Sequence, residues 1–128
     1  MWAQAGLVAL GGAAGSMARF GAVMLVKPHA PEFPAGTLSV NLLGSLLIGV
    51  LAGCLHASAL GRSSPLWLLL AVGVLGGFTT FSSLALETVE LLNAQRWGAA
   101  AAYIGASVVL GLVLAAGGFA LGRAVMAG

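Results

Sequence analysis

The chain has 128 residues, of which 60% are apolar and 6% charged, with a formal net charge of +2. A soluble domain of this length lacks the interior to hide so much apolar surface, so the solvent must be lipid. The charge balance is too small and too scattered for a nucleic-acid partner, and Cys54, the single cysteine, excludes a disulfide framework or a CxxC metal pair.

The first apolar run, about residues 2–26, lacks a basic n-region and is followed by three similar runs, so it reads as a spanning helix and not as a cleaved signal peptide. "KPHAPEFPAG" (Lys27–Gly36) carries three of the four prolines and separates it from a second span, 37–57. "ALGRSSP" (Ala59–Pro65) precedes a third span, 66–91, and "LNAQRW" (Leu92–Trp97) a fourth, 98–125. Each run is long enough for a hydrocarbon core of about 30 Å. Trp2, Trp67 and Trp97 fall at the starts of three spans, where indole rings prefer the headgroup level. The expected fold is one all-α, four-span membrane domain, residues 1–128, in the inner membrane. His29 and His56 lie near span ends, far apart in sequence, and do not suggest a metal site.

Glycines recur as small-xxx-small pairs: Gly11/Gly15, Gly49/Gly53, Gly73/Gly77 and Gly118/Gly122. Such pairs let membrane helices approach closely, and tight bundle packing is the expected use of most of the 20 glycines. Of the charges near span ends, Arg62 and Arg123 fall on one side of the membrane and Lys27 and Arg96 on the other. Two against two gives almost no orientation signal, which allows insertion both ways and pairing with an inverted copy.

Polar groups inside lipid must face a partner or a wet path. Thr37, Asn41 and Ser45 recur every four residues of the second span, and Tyr103 and Ser107 repeat that spacing in the fourth, with Gly111 next in the row. Thr79, Thr80, Ser82 and Ser83 cluster in the third span inside "LGGFTTFSS" (Leu75–Ser83), where a double glycine and two threonines weaken the helical ladder. Hydroxyls and an amide NH₂ suit a small anion by replacing its water with donors, and the ring edges of Phe78 and Phe81 add partial positive charge. Glu87 and Glu90 stand near the end of the third span and Glu32 in a loop, so no span carries the deep carboxylate of a proton-coupled exporter. The unwound turn is expected to free carbonyl oxygens for a hard cation such as Na⁺.

In "GGAAGSMARF" (Gly11–Phe20), "PAGTLSVNLLGSLLIG" (Pro34–Gly49) and "GVLGGFTTFSS" (Gly73–Ser83), the chain resembles the Fluc/CrcB family of fluoride channels across essentially its whole length. The resemblance implies a passive fluoride exporter assembled as an antiparallel, dual-topology dimer with a central structural Na⁺. By that resemblance the carbonyls of Gly76 and Thr79 hold Na⁺. Asn41 and Phe81 lie on the fluoride path, and Tyr103 and Ser107 on a polar track. Thr37, Thr80, Ser82 and Ser83 are assigned to the same path, Arg19 lies near a pore vestibule, and Glu87 matches an acidic position at the end of the third span. One departure is Leu84, where the family carries a second phenylalanine. Competing readings are a small dual-topology drug or cation exporter, and a non-conducting assembly subunit.

Overall fold

The computed structural model describes residues 1–57, 61 and 63–128, and these residues form helices and turns with no strand among them. Helix α1 spans Trp2–Val26 and runs into a 3₁₀ turn, Lys27–His29. Helix α2 spans Ala35–Ala57. Helix α3 covers residues 65–78 and α4 spans Phe81–Asn93, with an extended step at Thr79 and Thr80 between them. Helix α5 covers residues 97–127. Wider π-helical turns interrupt α3 at Leu68–Leu75 and α5 at Ala106–Leu110.

Local signals in the sequence explain the helix ends. Pro65 occupies the first turn of α3, and the Ser64 Oγ before it accepts the Trp67 N–H at 3.2 Å, so one orphan donor is capped. At the far end of α4 the chain reverses through Gln95 (φ 58°), with Arg96 N–H on the Leu91 carbonyl at 2.9 Å and Gln95 N–H on the Leu92 carbonyl at 3.0 Å. That is the paired closure of a Schellman turn.

Among the described residues, four stretches are long and apolar enough to cross a membrane: Trp2–His29, Ala35–His56, Pro65–Asn93 and Trp97–Ala127. They match the four expected spans. Lys27 and Arg96 line one cavity at the end where α2 begins, whereas His56 and Arg123 line another where α2 ends. This is the two-sided charge distribution read from loop order; Arg62, the remaining member of that reading, lies outside the described residues.

Two close helix pairs make up the bundle, α1 against α3 and α2 against the later part of α5. Glycines set both distances. A Cβ on Gly15 would be driven into the Val74 carbonyl, and one on Gly77 into the Gly12 carbonyl. In the second pair the same holds for Gly49 against Ala115, Gly53 against Phe119, Gly118 against Leu46 and Gly122 against Val50, all through backbone oxygens. A neighbouring backbone cannot swing aside as a side-chain tip can. The small-xxx-small pairs therefore serve as direct backbone contacts, as expected. The α4 half of the third span has few such contacts and packs mainly on α5, through Leu84 and Leu91 with Ala100 and Tyr103.

Gly117 and Gly118 separate packing from propensity. Gly118 faces Leu46, while nothing lies within 4 Å of a Cβ on Gly117. We expect Gly118→Ala to lose about 1–3 kcal/mol through overpacking, and Gly117→Ala to be neutral or to gain up to about 1 kcal/mol in helix propensity. Thermal unfolding of the purified variants in detergent checks this; equal losses would contradict the packing assignment.

Candidate functional site: the broken third span and two polar clusters

The break is built by short-range bonds that compete with the helix. Thr79 and Thr80 take extended conformations, with φ/ψ of −86°/158° and −152°/116°. Both the N–H and the Oγ1 of Thr79 donate to the Leu75 carbonyl, at 3.0 and 2.9 Å, which closes α3. Thr80 then caps α4, its Oγ1 accepting the Ser83 N–H at 3.2 Å. The same hydroxyl donates to Ser83 Oγ at 3.1 Å and lies 3.3 Å from Ser82 Oγ.

Asn41 on α2 locks this geometry from outside. Its Oδ1 accepts the Thr80 N–H at 2.8 Å, and its Nδ2 donates to the Thr80 carbonyl at 3.0 Å. One carboxamide thus satisfies both polar groups of one peptide-chain residue, as a neighbouring strand would. Gly44, one turn further along α2, leaves room for Thr79: a Cβ there would collide with the Thr79 methyl group.

Carbonyls of the last turn of α3 leave the helical ladder as a result, Gly76 and Thr79 among them. In a continuous helix the Thr80 N–H would bond the Gly76 carbonyl and the Ser83 N–H the Thr79 carbonyl. Here Asn41 takes the first donor and Thr80 Oγ1 the second. The Thr79 carbonyl accepts Arg19 Nη1 at 3.3 Å instead. Arg19, expected near a pore vestibule, therefore reaches the break itself. Freed peptide oxygens are the ligand type a hard monovalent cation takes, so Gly76 and Thr79 fit the expected Na⁺ chemistry.

Around the break lies a cavity of about 380 Å³, lined by Asn41, Gly76, Thr79, Phe81, Leu84 and Ser107 among others. Ser107 Oγ is buried and has no hydrogen-bond partner. Asn41 keeps one Nδ2–H beyond the one given to Thr80. Ser45, on the same stripe, turns its hydroxyl back to the Asn41 carbonyl at 2.8 Å. Phe81 is 81% exposed in the protomer, while Leu84 turns inward against the Tyr103 cluster.

Thr37 and Tyr103 belong to a second cluster. Thr37 Oγ1 donates to Glu87 Oε1 at 2.7 Å and the Tyr103 hydroxyl to Glu87 Oε2 at 2.5 Å. Both donors are buried, and Phe33 meets the Tyr103 ring edge-to-face at 5.6 Å. Glu87 and Thr37 also line a cavity of about 370 Å³ with Lys27, Glu32, Glu90 and Arg96. The stripe of hydroxyls read as one path is thus divided between the break and a carboxylate-centred cluster. Glu87 is the residue that the sequence reading underused. Its position midway along the strongly amphipathic α4, and not at a helix end, was the available signal.

Comparison with known proteins identifies the family. The family model described as CrcB-like protein, Camphor Resistance (CrcB), matches residues 6–119. A protein of Methylobacillus flagellatus described as "Fluoride-specific ion channel FluC" is 50% identical over 126 residues, covering 96% of this chain and 97% of its own. Proteins bearing the same description from Thermus thermophilus (50% identical, covering 94% of this chain and 95% of its own) and Agrobacterium fabrum (48% identical, 91% and 94%) are similar in extent. With its four spans, glycine-locked helix pairs and broken third span, the chain belongs to the CrcB-like family.

Proposed function

We propose that the chain is a fluoride-specific channel that lets fluoride leave the cytoplasm passively across the inner membrane. The observation that carries this reading is Ser107 Oγ, a buried hydroxyl without a protein partner, in the cavity where Asn41 has an N–H to spare. Two unfilled donors in a confined space suit a small, strongly hydrated anion, which exchanges water for protein hydrogen bonds. Chloride is larger and gains less from the same donors. The relatives' shared description favours this reading over the drug or cation exporter.

The functional unit in this reading is an antiparallel homodimer. Irregular backbone does not face hydrocarbon, because its polar groups have no water to bond. The break exposes Gly76 and Ser82, and the Phe81 ring beside them stands 81% free. An inverted second copy covering this face would shield the break and bring two pairs of Gly76 and Thr79 carbonyls together around Na⁺. That ion supplies fixed positive charge when bound. Phe81 edges, Asn41, Thr80, Ser83 and Ser107 then form the anion's route at the break, whereas the Thr37 and Tyr103 hydroxyls are taken up by Glu87.

Purified protein in liposomes is expected to release fluoride and to retain chloride. Comparable chloride efflux would contradict the proposal.

Substitutions separate path from scaffold. Ser107→Ala removes a hydroxyl that bonds nothing within the protein, so stability should be unchanged or rise by up to about 1 kcal/mol, while fluoride efflux falls at least tenfold. Asn41→Asp places a carboxylate oxygen against the Thr80 carbonyl, so it should lose about 1–3 kcal/mol together with efflux. Thr88→Ala, whose hydroxyl bonds back to the Leu84 carbonyl at 2.7 Å, is the control and should conduct normally. Normal efflux through Ser107→Ala would remove that residue from the path.

A further inference from the structure

We propose that Arg19 is an internal cation of the broken turn, competing with Na⁺ for the Thr79 carbonyl and thereby setting how strongly Na⁺ binds. This inference rests on the reading of Gly76 and Thr79 as Na⁺ ligands. The Thr79 carbonyl has lost its helical donor to the Thr80 side chain, and the group that meets it is Arg19 Nη1 at 3.3 Å. That distance lies beyond the usual range for an N–H···O bond, so the contact holds the oxygen without saturating it. A carbonyl has two lone pairs, which leaves one for a metal ion.

Close helix packing fixes the reach of Arg19. Gly15 sits one turn before it on α1 and lets the backbone approach so closely that a Cβ there would stand 2.9 Å from the Phe78 nitrogen. Ser16, three residues before Arg19 on the same face, donates to the Gly77 carbonyl at 3.5 Å. One face of α1 therefore serves two oxygens at the break, with a hydroxyl at Gly77 and a charge at Thr79. A cation arriving at Thr79 therefore meets the Arg19 guanidinium. Two positive charges on one part-buried oxygen repel enough to alter affinity about fivefold or more. Without Na⁺, Arg19 supplies the positive charge that the freed carbonyl needs. With Na⁺ present, the two cations share it at a cost to each, and the coupling is reciprocal.

Thermal unfolding of the purified full-length protein, titrated with NaCl against N-methylglucamine chloride at constant ionic strength, tests this. Arg19→Gln should unfold at lower temperature than wild type without Na⁺ and should recover as Na⁺ is added. Its half-saturating Na⁺ concentration should be lower by about fivefold or more. Arg19→Lys, which keeps the charge, should titrate like wild type. A purely structural arginine would lower the unfolding temperature equally at every Na⁺ concentration, and that result would overturn the proposal while leaving the Na⁺ site intact. If neither protein responds to Na⁺, the ligand reading fails and the proposal with it. Should Arg19→Gln fail to fold, Ser16→Lys brings a second cation to the adjacent Gly77 carbonyl. It should raise the half-saturating concentration by a similar factor, and an unchanged value would overturn the competition.

Discussion

The break in the third span depends on one side chain replacing a helical turn. The Asn41 carboxamide takes the N–H and the carbonyl of Thr80, so the third span can stop and restart within the membrane without leaving that residue unsatisfied. An unpaired buried peptide group costs about 1–3 kcal/mol in a protein interior, and hydrocarbon offers no water to reduce that cost. The threonines set up the break locally through a hydroxyl on Leu75 and a cap on Ser83. Asn41 makes it stable from a neighbouring span. The consequence is chemical: the Gly76 and Thr79 carbonyls come out of the ladder beside a cavity that α2 lines through Asn41, Gly44 and Ser45.

Packing places that face. Glycine contacts join α1 to α3 and α2 to α5 so closely that the backbones touch, which leaves little slack in helix register. Register is what brings Asn41 opposite Thr80, Arg19 opposite Thr79 and Thr37 opposite Glu87. By contrast α4 is held mainly at its later turns, around Leu91 and Tyr103, and its first residue, Phe81, extends away from the protomer. A rigid pair of helix pairs thus presents a half-helix whose polar start is unfinished. That is the physical case for a second copy as part of the conducting unit.

Much of this was legible in the sequence. The four apolar runs, the proline-rich first loop, the small-xxx-small pairs and the weakened turn at Gly76–Thr80 are local signals, and local signals survive without knowledge of tertiary contacts. The stripe of Thr37, Asn41 and Ser45 was also visible, but its division was not. A four-residue repeat says that three side chains share a face of one helix. It does not say that Thr37 will meet Glu87, that Asn41 will meet a peptide, or that Ser45 will bond back to its own helix. Those outcomes depend on the axial offset between spans. The same holds for Arg19, whose hydrogen-bond partner is a carbonyl freed by a break 60 residues away.

The most direct test of the Asn41 constraint is the backbone conformation of Thr79 and Thr80 in a lipid bilayer. Carbon chemical shifts from solid-state NMR distinguish extended from helical residues. The account predicts extended shifts at both positions in the unmodified protein and a move toward helical values in Asn41→Leu, which keeps the bulk and loses both hydrogen bonds. Helical shifts at Thr79 and Thr80 in the unmodified protein would contradict it.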